Sequence, residues 1–398
     1  MFLEVILYLL IGIFLGVIAG LIPGIHPNTF AFLLLSLSPI LNLDIFYLIA
    51  ILIGAEIANS FVDFIPSVLF FAPEEDTALS ILPGQKFLLY GRGYEGIYLT
   101  VSGGVISSFI VIALLPLFVI SIPLFYNFLK PFIIFLLILT IIHLFLTQKK
   151  NKFYAVLIFI FSAIYGILIF RLPLSGTEVL FPAFSSLFGL SSLFFAGSRE
   201  EIPDQEIDFN LEDCSKIKSS ITAVFSGLFS GILPGVGSSQ VTVISQQLAR
   251  IKNLKDFMIS IGGITTINSI FSIIALWCIG NPRSGVSVAI QNFGFEINIY
   301  TLFFVIFLIA ISVGISAPLT LFLSKILIKN IHKIKYNKLT RSIFILLIVL
   351  IFVTTGWIGL LTALVGFLIG IFCIHTEVRR SFMMGVLIIP TILIFLGI

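Results

Sequence analysis

Four polar residues, Glu56, Asn59, Ser60 and Asp63, lie at i, i+3, i+4 and i+7 in an otherwise apolar stretch. That spacing sets them on one face of a helix. A carboxylate at the centre of a membrane span costs roughly 2.5–3.5 kcal/mol on insertion scales. Two on one face therefore need compensation: a bound cation, protonation, or a place nearer the surface. The polar face recurs without its charges as Thr265, Asn268, Ser269 and Ser272 (268 − 59 = 209). Glu56, Asn59, Ser60, Asp63, Asn268 and Ser269 are the ion-coupling candidates, with Na⁺ or H⁺ as the coupling ion and no other cofactor. The plainer alternative is that they only bond neighbouring helices.

A second device is duplicated. Ala19-Gly-Leu-Ile-Pro23-Gly24-Ile resembles Ser230-Gly-Ile-Leu-Pro234-Gly235-Val at nearly the same shift (234 − 23 = 211). Proline removes a backbone donor and glycine permits positive φ, so each motif breaks a helix inside the membrane. Helix-capping residue types follow: Asn28 and Thr29 in the first copy, Ser238 and Ser239, then Gln240, in the second. Free N–H groups at such a restart favour an anion, and carbonyls of the preceding helix end favour a cation. Pro23, Gly24, His26, Asn28, Thr29, Pro234, Gly235, Ser238, Ser239 and Gln240 are thus the substrate-binding candidates. His26 is also a candidate proton carrier. Arg283 joins them as a bidentate partner for a carboxylate, against the alternative of a solvated loop residue. Its counterpart after Pro73 is the acidic run Glu74-Glu75-Asp76. Two kinked helices packed for structure alone would explain the Pro-Gly motifs less well, because the whole device is copied.

The elements that carry these residues follow from composition. Of 398 residues 59% are apolar and 10% charged, with a mean hydropathy of +1.20. A water-facing surface cannot be built from such a chain, whereas runs of about 20 apolar residues suit a bilayer. Runs such as 132–146 lack period-two alternation, so helices rather than a barrel cross. The pattern predicts an all-α polytopic membrane protein of about 11–14 spanning or half-spanning helices. They lie near 3–22, 28–42, 45–71, 97–121, 123–146, 153–171, 176–196, 219–233, 239–250, 256–280, 298–325, 340–355, 356–374 and 381–398. The segments at 28–42 and 239–250 are short or polar for a crossing, and 176–196, with Glu178 and Pro182, suits a re-entrant path. The N-terminus reads as a first span rather than a cleaved signal.

Basic loops at Lys149–Lys152, Lys329–Arg341 and Arg379–Arg380 are expected on the cytoplasmic side, which sets the N-terminus outside. About seven segments separate the starts of the two copies, so the repeats are expected to be inverted; a non-crossing 176–196 would make them parallel. The units are then 1–146 (first repeat), 147–218 (connecting helices and polar linker), 219–355 (second repeat) and 356–398 (C-terminal helices). Cys214, Cys278 and Cys373 have neither disulfide nor metal spacing. Nucleotide loops and nucleophile–His pairings are missing too, so ATP hydrolysis and enzyme catalysis are not expected. The reading that results is ion-gradient-driven transport of a small organic anion across the cell membrane, with a carboxylate the anion that Arg283 and the breaks favour. Its rival is an intramembrane enzyme acting on a lipid or polyprenyl substrate through Glu56, Asp63 or His26.

At these residues the chain resembles a family. Gly20-Leu-Ile-Pro-Gly24, Gly54-Ala-Glu-Ile-Ala-Asn-Ser60, Pro73 and Gly91-Arg-Gly-Tyr-Glu-Gly96 are similar to the large membrane subunit of tripartite tricarboxylate transporters, the TctA type. Gly231-Ile-Leu-Pro-Gly235 and Gly262-Gly-Ile-Thr-Thr-Ile-Asn268 continue the resemblance in order. It implies an ion-driven path for carboxylates, with a small four-helix membrane subunit and an extracytoplasmic solute-binding protein as partners. Pro-Gly-Ile-His-Pro-Asn and Phe71-Ala-Pro-Glu-Glu-Asp76 depart from the usual pattern. These departures resemble a stand-alone branch known mainly from archaea, for which neither tricarboxylates nor the two partners follow from the resemblance.

Overall fold

The computed structural model describes residues 2–22, 27, 30–31, 34–35, 38, 43–70, 77–148, 150–174, 176–196, 203–209, 214–232, 238–249, 253–280, 282–331 and 336–397. Among them every regular element is helical. Seven helices are long and apolar enough to cross a membrane, and four shorter apolar ones accompany them. The protein is an all-α, polytopic membrane protein.

The first half contains α1 (Phe2–Leu21), α2 (Ile45–Val62), α3 (Phe64–Phe70), α4 (Ile81–Leu89), α5 (Gly93–Ala113), α6 (Leu115–Leu129) and α7 (Ile133–Thr147). Then come α8 (Lys152–Ile169), α9 (Gly176–Phe184) and α10 (Ser191–Ala196), the last two joined by a π-helical turn at Ser185–Leu190. The second half contains α11 (Lys216–Ile232), α12 (Ser238–Leu248), α13 (Leu254–Ile279), α14 (Gly285–Asn292) and α15 (Ile299–Ile331). The chain ends with α16 (Tyr336–His375) and α17 (Gly385–Leu396).

The 209-residue shift is visible in local structure. Asp44 caps α2 by accepting the Phe46 N–H at 2.9 Å, and Asn253 caps α13 by accepting the Lys255 N–H at 3.0 Å (253 − 44 = 209). Both are side-chain acceptors two residues before their donor, which satisfies one of the orphan amides of a helix start. α1 then packs along α2, and α11 along α13. Without a water-driven attraction between helices in lipid, such pairs depend on close backbone approach through small residues.

The two pairs interlock, since α2 packs on α15, α13 on α5 and α5 on α15. Glu95 and Lys255, 3.2 Å apart, join the starts of α5 and α13. Phe46 and Phe304, with ring centroids 5.1 Å apart, join the starts of α2 and α15. Lys325, near the end of α15, lies over the Tyr94 ring at the start of α5. α5 and α15 therefore run in opposite directions, and so do α2 and α13. The α5–α13 crossing is tight: a Cβ on Gly103 would strike the Ile259 carbonyl, and one on Gly262 the Thr100 carbonyl.

One of the expected boundaries is displaced. The chain breaks at Leu114 and at Lys130–Phe132, not between 121 and 123. Pro116 and Pro131 stand at those breaks, where a missing donor costs least, while Pro123 is absorbed inside α6. Residues 176–196 form a helix interrupted by the π turn that follows Pro182. The boundary expected between 340–355 and 356–374 is present, because α16 folds back on itself at Gly356 (φ 63°, ψ −154°). Phe344 and Phe367 consequently meet at 5.9 Å, where a straight helix would hold them about 35 Å apart. Lys338 and Arg341 thus lie at the same end as His375, and Asn151 donates to the Thr376 carbonyl at 2.8 Å. The three basic loops share one face.

Candidate functional site

α2 is buried along nearly its whole length, and its polar face is buried with it. Glu56, Asn59, Ser60 and Asp63 are 6%, 8%, 3% and 3% exposed. Asp63 is the turn residue between α2 and α3, its amide still donating to the Asn59 carbonyl at 3.0 Å. Its Oδ2 accepts the Thr77 hydroxyl at 3.0 Å. The Thr77 carbonyl in turn accepts from Ser80 at 2.7 Å and from Ser67 at 3.3 Å. One carboxylate thus fastens the short 3₁₀ turn Ala78–Ser80 onto the end of α2. Ser60 donates its hydroxyl back to the Ile57 carbonyl, while Asn59 Oδ1 is buried with no hydrogen-bond partner among the described residues.

The second half repeats the layout without charge. Thr265, Ser269 and Ser272 are buried on α13 and Asn268 is half-buried beside them. Each stripe also has a glycine pressed against it, from α1 in the first half and from α11 in the second. A Cβ on Gly20 would come within 3.0 Å of the Asp63 nitrogen, and one on Gly231 within 3.1 Å of the Ser272 nitrogen. These glycines lie three residues before Pro23 and Pro234. Gly20 and Gly231 are therefore each held next to a polar stripe.

The breaks themselves, with Pro23, Gly24, His26, Asn28, Thr29, Pro234 and Gly235, lie outside the described residues, as does the side chain of Gln240. Ser238 and Ser239 are fully buried at the start of α12, and the Ser238 hydroxyl has no partner among the described residues. α12 packs against the Ala78–Ser80 turn, the segment that Asp63 holds. Arg283 is placed elsewhere. Phe64, next to Asp63, packs with Phe257 and Ile261 in the first half of α13, whereas Arg283 follows its far end. From Ile261 to Ile279 the helix rises about 27 Å. The Glu56–Asp63 stripe and Arg283 do not form one site.

A family model described as the tripartite tricarboxylate transporter TctA family matches residues 6–385. The chain belongs to the TctA family. It is also 35% identical over 399 residues to an uncharacterised protein of Methanocaldococcus jannaschii, covering 98% of this chain and 99% of that one. No solved structure matches it.

TctA membership makes transport the activity to be explained, and it gives weight to one cluster that sequence reasoning passed over. Glu95, within the Gly91–Gly96 motif, is fully buried and accepts Arg92 Nε at 2.6 Å and Nη2 at 2.8 Å. Lys255 of α13 completes the cluster. Shifted by the repeat distance, Lys255 corresponds to Phe46 and Glu95 to Phe304 (255 − 46 = 209; 304 − 95 = 209). The same pair of positions is bridged by charge at one end of this TctA-family protein and by aromatic edges at the other. The shift itself was the signal available in the sequence, but it extends past the motifs only once the contacts are known.

Proposed function

We propose that the protein is a secondary transporter that moves a small organic anion, a carboxylate, across the cell membrane on an ion gradient. The observation that carries this reading is the buried Glu56–Asp63 stripe beside Gly20, matched by the uncharged Asn268–Ser272 stripe beside Gly231. Two carboxylates inside a membrane are stabilised by a cation or by protons. A helix restart next to them offers N–H groups to an anion. Together they give a site in which Na⁺ or H⁺ and the solute bind as neighbours and offset each other's charge. Glu56, Asn59, Ser60 and Asp63, with Asn268 and Ser269, would hold the ion; Pro23, Gly24, His26, Asn28, Thr29, Pro234, Gly235, Ser238, Ser239 and Gln240 would frame the anion.

An inverted duplication supports the mechanism. The matched caps at Asp44 and Asn253, the matched close approaches and the opposite directions of α2 and α13 all agree with it. Two inverted halves meeting at a central site can expose it to either side by rocking one against the other. We assign 1–146 and 219–355 to the halves, with 147–218 and 356–398 as connecting and C-terminal helices. By the positive-inside rule the face with the three basic loops is cytoplasmic. The family's partners, a small membrane subunit and an extracytoplasmic solute-binding protein, are the partners to test, against a branch that works alone.

The experiment is uptake of labelled acetate, succinate and citrate into proteoliposomes holding the purified chain, with and without Na⁺ and pH gradients. Gradient-dependent uptake of at least one is expected. Uptake that appears only when the two partners are added would remove the stand-alone reading, and no gradient-dependent uptake in either case would remove transport of carboxylates.

A further inference from the structure

Arg283 lies in the loop between α13 and α14, on the face opposite the basic loops. Its backbone is fixed: the amides of Arg283 and Ser284 both donate to Ser287 Oγ at 2.8 Å, and Ser284 Oγ accepts the Ser287 amide at 3.1 Å. This capping box starts α14, which packs on α2, so the loop is anchored to the helices that bear both stripes. The guanidinium carbon sits 5.2 Å from the centre of the Tyr126 ring of α6. This contact engages the charge but supplies no oxygen acceptor, so the N–H edges of the guanidinium remain to be paired. Nε and Nη2 form one such edge, and both are buried with no hydrogen-bond partner among the described residues.

Arg92 offers a comparison within the same chain. Its Nε and Nη2 make the same fork, and Glu95 fills it with two oxygens. Two parallel donors at this spacing match the two oxygens of a carboxylate. Leaving them buried and unfilled costs stability, and any ligand that fills them regains it.

We propose that the Nε/Nη2 edge of Arg283 is an outer carboxylate site, separate from the Glu56–Asp63 stripe and about 27 Å along α13 from the level of Phe64. It takes one carboxylate group of the solute at the extracytoplasmic mouth before the solute reaches the breaks. The inference rests on the transport reading for the solute's class and path, but not for the binding itself.

The test is equilibrium binding of labelled succinate and citrate to purified protein in detergent, for the parent, Arg283→Gln and Arg283→Lys. Parallel melting curves show whether each variant is folded, and uptake is measured on the same preparations. Binding to the parent should be saturable and displaced by acetate. It should weaken ten-fold or more in Arg283→Gln and by an intermediate amount in Arg283→Lys, which keeps charge but not the fork. Equal binding in folded Arg283→Gln overturns the proposal, as does displacement by sulfate or phosphate but not by acetate. Should Arg283→Gln lose binding while the parent shows no uptake, the outer site stands and the transport reading falls. Should the parent take up solute while the variant binds it unchanged, transport stands and the outer site falls.

Discussion

Gly20 and Asp63 are in contact across the α1–α2 interface, so close that a Cβ on Gly20 would lie 3.0 Å from the Asp63 nitrogen. The same relationship joins Gly231 to Ser272, at 3.1 Å, in the second half. α1 and α11 are thereby each fixed in register against a polar stripe. Gly20→Val and Gly231→Val should each push the two helices apart and destabilise the protein by about 1–3 kcal/mol, the usual cost of overpacking. Melting of the purified variants checks this; a melting point equal to the parent's for both would mean that the contact does not set the register.

The charge on α2 separates ion coupling from packing. Glu56→Gln and Asp63→Asn keep shape and hydrogen bonding but lose the carboxylate. Each should abolish the dependence of uptake on the Na⁺ or pH gradient, while a solute gradient still drives exchange. Gradient dependence equal to the parent's in both variants would leave the stripe a structural feature.

Ser238 offers a test in which function and stability move in different directions. Its hydroxyl is buried without a partner among the described residues, so removing it breaks no hydrogen bond to any of them and relieves a desolvation penalty. Ser238→Ala should melt at or slightly above the parent while uptake falls. Lower stability with intact uptake would reverse the assignment.

The Glu95 cluster should behave as a unit. Removing Glu95 leaves Arg92 and Lys255 facing each other at a buried point, a change worth several kcal/mol when a buried pair is broken on one side. Glu95→Gln is therefore expected to destabilise more than Arg92→Gln, whose side chain is 39% exposed. Combining Glu95→Gln with Lys255→Met should recover part of the loss. Strict additivity in this double-mutant cycle would show that the two residues do not interact.

Gly356 turns α16 back on itself from a conformation with φ 63° and ψ −154°. A Cβ there would meet nothing within 4 Å, so the cost of Gly356→Ala is that of the backbone alone. Strain of about 1–3 kcal/mol is expected, with a lower melting point and no change in apparent affinity for the solute. A variant as stable as the parent would show that the hairpin tolerates a different turn.

Much of this was legible in the residues themselves. Hydropathy set the helical membrane class, because a bilayer accepts few other uses of such a composition. The i, i+3, i+4, i+7 spacing of Glu56 to Asp63 placed those side chains on one face, since helical period is a local property. The two shifted motifs are likewise local signals, since proline, glycine and capping residues act on the backbone next to them, and the proposed duplication starts from them. Spacing along one helix does not name the helix opposite. That Thr77 holds Asp63, that Lys255 meets Glu95, and that Arg283 stands at the far end of α13 from Asp63 depend on how distant segments cross. At Gly356 the pattern predicts two spans, 340–355 and 356–374, and the contact of Phe344 with Phe367 adds only how they pack side by side. Local chemistry fixed which residues are polar inside the membrane; the packing of the two halves decided which of them share a site.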